Sequence, residues 1–505
     1  MHLLTLLLFA APLLSYAQDF ESTCLALKST LDQSTDADLA GTTILDVSYV
    51  SSNTTLEPLG SGCPMPPPQA SVPLCRVQFT TQTSPTSAVT AEAWLPEEWY
   101  GRFLTAGNGG LSGCIFYDML QSGSALHFAT ISHNAGHDGF SGLPFLNNPE
   151  VLLDFSSRAV HVSTVVGKAI TRELYRRPAS KAYFAGCSAG GRQGAHSALY
   201  HPSDFDGILV GSPATDWNRL MHWMGMTARA VGAGPSQGYE SAPEFLTRDL
   251  WDVVSQEILK QCDGLDGLED GIIAQPDKCE FKPEVLLCSD ADEACVAPAT
   301  LEGELRCVES NANMTAPCLT PKQVAALNTI YSPLIDAETG ELLYPRLDPG
   351  SEAIPIYFAG LPFTGVFPML TSEWFQYAVK NVSTYDFSSY GPADGRLADE
   401  INPGGIATWS GDFSAFRDRG GKFLTYHGSG DWIIPSGNSK RMYELVASTL
   451  YAPSTSNLKE QSPFTATPEK YDQMDSFYSC GQSNNQIQRP EKTPNTIFQI
   501  FPTRN

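Results

Sequence analysis

The stretch 184–194, FAGCSAGGRQG, constrains the architecture of this chain more than any other. An apolar run, KAYFAG (181–186), meets a serine among small residues, and GRQGAHSALYHP (191–202) continues with helical character up to Pro202. Gly186-Cys187-Ser188-Ala189-Gly190 therefore reads as G-x-S-x-G between a strand and a helix. In such an elbow the serine is forced onto a tight turn that only small neighbours permit. The turn exposes the hydroxyl, and the next helix aims its N-terminus at it. A cysteine directly before the serine adds a second constraint, because a disulfide there ties the backbone of the nucleophile to another segment.

The neighbouring sequence repeats the alternation of strand and helix. GRFLTAGNGG (101–110) is a short apolar strand entering a glycine-rich loop. The segment 154–178 is helical, with Ala159, Val162, Val166, Ala169 and Ile170 on one side and Pro178 beyond its end. FDGILVGSPA (205–214) is another buried strand. Strand, helix, strand in this order predicts an α/β fold with a parallel sheet from about residue 90 to 215. From Asp216 tryptophan, methionine and proline become frequent, and cysteines cluster between Cys262 and Cys318. GGKFLTYHGSGDWIIP (420–435) then returns to strand and loop. The pattern predicts a catalytic domain in two parts, 18–215 and 396–478, interrupted by an inserted lid domain at 216–395.

Ser188 is the expected nucleophile. The Ala189 N–H, with a second donor from the Gly107-Asn108-Gly109-Gly110 loop, assigned to Gly110, is expected to form an oxyanion hole. Asp431, after the strand of 420–426, is the expected orienting acid, in the chain order serine, acid, histidine. His427 lies too early for the base and is expected to pack at the strand end. His133 and His137, in HNAGHDG, are expected near the oxyanion loop. His161, His196, His201 and His222 are read as hydrogen-bonded structural residues, since no two share the spacing of a zinc helix motif.

The first residues, MHLLTLLLFAAPLLSYAQDF, read as a secretory signal cleaved after Ala17, leaving Gln18 first. The run is too short and proline-broken to span a membrane. Twelve cysteines and three sequons, at Asn53, Asn313 and Asn381, fit the same compartment, so the protein is expected to be extracellular. With 42% apolar residues the chain has material for a large core, and its net charge of −24 argues against nucleic acid and anionic membranes as partners.

CDGLDGLEDGIIAQPDKC (262–279) sets Asp263, Asp266 and Asp270 in a glycine-rich loop between two cysteines. Carboxylates this close repel unless a cation neutralises them, and hard oxygen ligands on a flexible loop select Ca²⁺. The spacing is not that of an EF-hand, and the ion is expected to be structural.

Seven motifs in order, GNGGLSG, HNAGHDG, DFSSRAVHVSTVVGKAI, YFAGCSAGGRQG, FDGILVGSPA, CDGLDGLEDGI and FRDRGGKFLTYHGSGDWIIP, give the chain a resemblance to the fungal tannase and feruloyl esterase family of secreted serine esterases. The likeness runs in pieces from about Gly101 to Tyr478. It implies an α/β-hydrolase domain with a lid. It also implies hydrolysis of hydroxycinnamic or gallic esters, including feruloyl groups on plant cell-wall polysaccharide, with feruloyl esters first and galloyl esters as the alternative. A calcium loop completed by the Leu268 and Ile272 carbonyls is implied by the same likeness, as are the pairs Cys24–Cys75, Cys63–Cys114 and Cys262–Cys279. Among Cys288, Cys295, Cys307 and Cys318 three pairings stay open. Other classes are a non-catalytic calcium-binding relative and a serine peptidase.

The family's cysteine before the nucleophile bonds a cysteine directly after the catalytic histidine, in a Pro-Gly-Met-x-His-Cys type stretch. This chain tracks the family to QMDSFY (473–478) and then departs into a polar tail, 479–505, that reads without strand or helix periodicity. Cys480 is the default partner of Cys187 but comes after Ser479, and His427 is the last histidine of the chain. The tail resembles a mistranslated or alternatively spliced end. The catalytic histidine is thus absent from its expected position. The α/β core is expected to be incomplete at its C-terminal edge, and the esterase to be impaired.

Overall fold

Thr42–Val50 (β1), Leu74–Ser84 (β2) and Ser87–Pro96 (β3) form an antiparallel run ahead of the region where the sequence pattern places strands. SAVTAEAWLP in β3 buries nearly every side chain, so alternation there is weak and the strand signal lies in its β-branched and aromatic residues. Next in the chain come Arg102–Ala106 (β4), Phe128–His133 (β5), Lys181–Cys187 (β6) and Gly207–Gly211 (β7). β3 pairs antiparallel with β5, whereas β4 pairs parallel with β5 and β6, and β6 parallel with β7. Lys422–Gly428 (β8) and Asn495–Gln499 (β9) complete a nine-stranded sheet in the order β1-β2-β3-β5-β4-β6-β7-β8-β9. The α/β class read from the sequence is the one observed.

This computed structural model describes residues 20–60, 62–63, 66–233, 242–288, 318–353 and 367–450, with the backbone of 451 and of Asn495–Gln499. β9 corrects the reading of the tail as free of strand signal. Thr496, Ile497 and Phe498 are strand formers lying between Pro494 and Pro502, too short a run to stand out in a polar segment. The signal segment, Asn313, Cys295, Cys307, Cys480 and QMDSFY fall outside the described residues.

The chain divides into two compact units. The first comprises Met1–Thr215, Gly404–Leu424 and Ile500–Asn505, and the second Asp216–Pro403 and Thr425–Gln499. The second unit begins at Asp216, runs on to Pro403 and also takes Thr425–Gln499, which includes the end of β8.

In the first unit the sheet core is built from Phe103, Ile131, Phe184 and Phe205, all almost fully buried, under the helix Ala159–Tyr175. Glu92, fully buried, is compensated by a bidentate pair with Arg76 at 2.6 and 2.8 Å and by the Tyr117 hydroxyl at 2.7 Å. Cys24–Cys75 and Cys63–Cys114 each close 51 residues, a constraint worth about 4 kcal/mol on the chain-entropy account. In the second unit, Trp217 packs edge-on to Trp374 at 5.7 Å, and His222 Nδ1 lies 2.8 Å from the Tyr390 hydroxyl. Cys262–Cys279 is present there, and Cys288 pairs with Cys318, while Cys295 and Cys307 lie outside the described residues. No described helix is long and apolar enough to cross a membrane.

Candidate active site

Ser188 joins β6 to the helix Ala189–Tyr200 with φ 57° and ψ −117°, a conformation non-glycine residues avoid. The strain is held by the sheet: the Ser188 N–H donates to Gly211 O at 3.0 Å, and Ser188 O accepts from Arg192 N and Ala214 N. The motif glycines are there because nothing larger fits. A Cβ on Gly186 would stand 2.8 Å from the Gly190 carbonyl, and one on Gly190 would stand 2.7 Å from Asn108 O. A serine at a helix N-cap usually commits its oxygen to the helix. Here Ser188 makes no side-chain capping bond, so its half-buried hydroxyl is not committed to the helix.

The glycine-rich loop after β4 lies against this turn. The Gly107 N–H donates to Ala185 O at 2.9 Å. Asn108 is locked on four sides. Its N–H donates to Gln193 Oε1 at 2.9 Å, its Oδ1 accepts from Gln193 Nε2 at 3.0 Å, and its Nδ2 donates to Cys114 O and His133 O. The Asn108 N–H is therefore occupied, which leaves Gly109 and Gly110 to present free donors. Gly110 adopts φ 57°, turning the chain back, and Ala189 carries the first N–H of the helix, a donor without an intrahelical partner.

Two residues that the sequence pattern did not single out hold this arrangement. Gln193 fixes Asn108. Arg192, fully buried behind the helix, donates to Ser156 O at 2.6 Å and Phe155 O at 3.2 Å, and burial pushes its pKa down to about 9. Their one sequence signal is a polar pair, RQ, inside an otherwise small-residue helix start.

Each histidine near the loop has one ring nitrogen engaged, while His133 Nε2 and His137 Nδ1 are buried with no hydrogen-bond partner among the described residues. His133 is fully buried, accepts from Ala135 N at 3.1 Å, and is held neutral by burial, its pKa lowered to about 3. His137 Nε2 lies 2.8 Å from Leu111 O, so that nitrogen carries the proton, and burial against Phe145 and Phe155 lowers its pKa. Cys187 is disulfide-bonded; four other bonds use the remaining eight described cysteines, so its partner lies outside the described residues.

Asp431 belongs to the second unit. Its Oδ1 accepts from Ile433 N at 3.0 Å and Ile434 N at 2.9 Å, closing the turn after β8, while Oδ2 stands 3.6 Å from His427 Nε2. His427 is fully buried with both nitrogens engaged: Nε2 donates to Ile434 O at 2.6 Å, and Nδ1 accepts from the Ser439 hydroxyl at 2.7 Å. It packs at the strand end, as expected.

The acidic loop also lies in the second unit. Asp263 accepts from Gly271 N and Ile272 N, Asp266 from Leu268 N at 2.9 Å, and Asp270 from Ile272 N at 3.2 Å. Gly267 and Gly271, at φ 95° and 81°, make the reversals that bring these residues round, and Cys262–Cys279 pins the ends. The all-oxygen donor set fits a hard cation. Each carboxylate is turned toward the loop's own N–H groups. Of the sequons, Asn53 and Asn381 are exposed.

Residues 75–478 match the family described as Tannase and feruloyl esterase. Over 391 residues the chain is 40% identical to a protein named probable feruloyl esterase B-2 from Aspergillus flavus, covering 77% of this chain and 68% of that one. It thus spans about two thirds of the length of such relatives. Among solved structures it is similar to an esterase from Aspergillus oryzae, at 37% identity and TM-score 0.76, covering 87% and 80% of the two chains. Feruloyl esterase B from Aspergillus oryzae gives 35% identity and TM-score 0.75, covering 85% and 79%. The mixed sheet, parallel through β5, β4, β6 and β7, and its helices are thus an α/β-hydrolase fold, and the chain belongs to the tannase and feruloyl esterase family, a family of carboxylic ester hydrolases.

Proposed function

We propose that the protein is built as a secreted serine esterase for aromatic-acid esters, feruloyl esters of plant cell-wall polysaccharide first. The observation that carries the reading is the strained, uncapped Ser188 facing a glycine loop whose one constrained amide, Asn108, is already occupied. In this reading Ser188 Oγ attacks the ester carbonyl, and the oxyanion is met by the N–H groups of Ala189 and Gly110. The alcohol leaves, and water then releases the acid from the acyl-serine. Asp431 orients a histidine base. Feruloyl rather than galloyl substrates are favoured by relatives named for feruloyl esters at 35–40% identity. Secretion is favoured by the leader-like start, the disulfides and the exposed sequons. The acidic loop is proposed to hold structural Ca²⁺ through Asp263, Asp266, Asp270 and the Leu268 and Ile272 carbonyls, where the ion neutralises the crowded carboxylates.

A second reading has its own observation: no histidine comes after His427 in this sequence, and His427 itself has no free nitrogen. The 505-residue polypeptide is therefore proposed to be a poor catalyst on an intact scaffold. Hydrolysis of methyl ferulate and methyl gallate, with Ser188→Ala as control, tests both readings. Ser188-dependent turnover of methyl ferulate at rates normal for an esterase would overturn the second. Faster turnover of the gallate would reverse the substrate order.

A further inference from the structure

A second site of a different chemical kind lies wholly within the first unit. The helix Ala159–Tyr175 and the end of the helix Ala189–Tyr200 bring two imidazoles together. The rings of His161 and His201 stack with centroids 4.0 Å apart and planes 12° from parallel. Asp204, in the turn after Pro202, places Oδ2 2.8 Å from His161 Nδ1. One ligand atom from each of the three residues lies within 4.8 Å of the other two.

The backbone holds the three residues in place. His201 N donates to Ser197 O at 2.9 Å, and Asp204 N donates to His201 O at 3.0 Å, so the turn carrying Asp204 is fastened to the helix end. The Lys168 ammonium is bonded to the Asp204 backbone carbonyl, not to its carboxylate. The Asp204 side chain is only 7% exposed, while that of His161 is 38% exposed. A buried carboxylate thus forms the floor beneath imidazoles that open to solvent.

Two imidazoles this close disfavour joint protonation. Burial, and then the neighbouring His161, lower the pKa of His201. A divalent ion replaces those protons and neutralises the buried carboxylate in one step. The donor set is two imidazole nitrogens and one carboxylate oxygen, and every described cysteine is in a disulfide. Such a set suits borderline ions such as Zn²⁺ over Ca²⁺. Tetrahedral bonds of about 2.1 Å require ligand atoms roughly 3.4 Å apart with the ion in the plane of each ring, so the imidazole stack must open and the 2.8 Å His161–Asp204 hydrogen bond must give way as the three ligands converge. His161, half exposed on a helix, has that freedom.

We propose that His161, His201 and Asp204 form a binding site for a borderline divalent transition metal, completed by water and separate from the acidic calcium loop. The ion would staple the Ala159–Tyr175 helix to the far end of the helix that begins after Ser188.

The test uses the full chain, saturated with Ca²⁺ so that the acidic loop does not compete, and titrated with ZnCl₂ at about pH 7, where unperturbed imidazoles are mostly neutral. One equivalent is expected to bind and to raise the melting temperature. Co²⁺ in its place is expected to give visible d–d bands of a four- or five-coordinate ion. His201→Gln and Asp204→Asn are each expected to weaken Zn²⁺ binding at least about tenfold, since each removes one of three ligands. In the unmutated chain, Zn²⁺ is expected to protect His161 and His201 from diethylpyrocarbonate, read by peptide mass. That readout stands even where a variant fails to fold. No binding at millimolar Zn²⁺, equal affinity in folded variants, or unprotected His161 and His201 would overturn the proposal.

Discussion

The turn at Ser188 and the turn at Asp431 are built on opposite plans. Around Ser188 the neighbours are fastened and the hydroxyl is left over: the backbone is held by Gly211, Arg192 and Ala214, and Asn108 by Gln193. Around Asp431 the side chains themselves are committed. One carboxylate oxygen closes the turn onto Ile433 and Ile434, and the adjacent imidazole of His427 is held by Ser439 and Ile434. The first turn leaves its side-chain oxygen uncommitted, as the proposed attack on an ester carbonyl requires. The second turn is locally complete, so any catalytic work falls to the remaining oxygen, Oδ2, acting on a histidine that this sequence does not supply after residue 427.

The largest effect expected is a gain. Cys480 comes after Ser479, whereas the family pattern has histidine directly before that cysteine. Ser479→His is expected to raise methyl ferulate turnover by about 10³-fold or more, the scale on which a triad member acts. Ser188→Ala in that background is expected to return turnover to the level of the parent chain. An unchanged rate in Ser479→His, with the protein folded, would mean that the tail does not deliver the residue where the base belongs.

Ranked next is Asp431→Asn. The amide oxygen can still accept from Ile433 and Ile434, so the turn survives while the charge is lost. In the Ser479→His background turnover is expected to fall by about 10³–10⁴-fold with little change in melting temperature, as for orienting acids elsewhere. A fall in stability with turnover preserved would reduce Asp431 to a turn-closing residue. Gly190→Ala probes the other turn. Its new Cβ would meet the backbone oxygen of Asn108 at 2.7 Å, an atom that cannot swing aside as a side chain can, so the elbow or the glycine loop must shift. A loss of about 1–3 kcal/mol in stability is expected, with a drop in turnover that exceeds it.

The elbow was legible because its requirements are steric and local. Only Gly186 and Gly190 fit the close approaches there, and sterics write themselves into sequence. Asp431 was singled out only by its place after a returning strand, since an aspartate that closes a turn looks the same whether or not it also orients a base. Gln193 and Arg192 were missed because their partners, Asn108 and the carbonyls of Phe155 and Ser156, are distant in sequence. β1 to β3 were passed over because nearly every residue of β3 is buried and leaves little alternation. β9 was missed because so short a strand between prolines carries too little signal in a polar tail.

The smallest effects expected on chemistry come from the second unit's structural groups, and they set the stability side of the comparison. His427→Ala removes a fully buried ring and two short hydrogen bonds, and leaves the Ser439 hydroxyl and the Ile434 carbonyl without that partner. The expected cost is about 3 kcal/mol. Were His427 the base, the same variant would instead abolish Ser188-dependent turnover at temperatures where the protein remains folded, and a rate measured well below the melting point separates the two outcomes. Calcium removal belongs to the same class. On the calcium reading proposed above, the three aspartates of 263–270 would repel with the ion gone, and the loop could relax only as far as Cys262–Cys279 allows. A chelator is expected to lower the melting temperature by about 5 °C and to leave turnover nearly unchanged below it. Loss of turnover at constant melting temperature would make the ion part of the reaction instead of part of the scaffold.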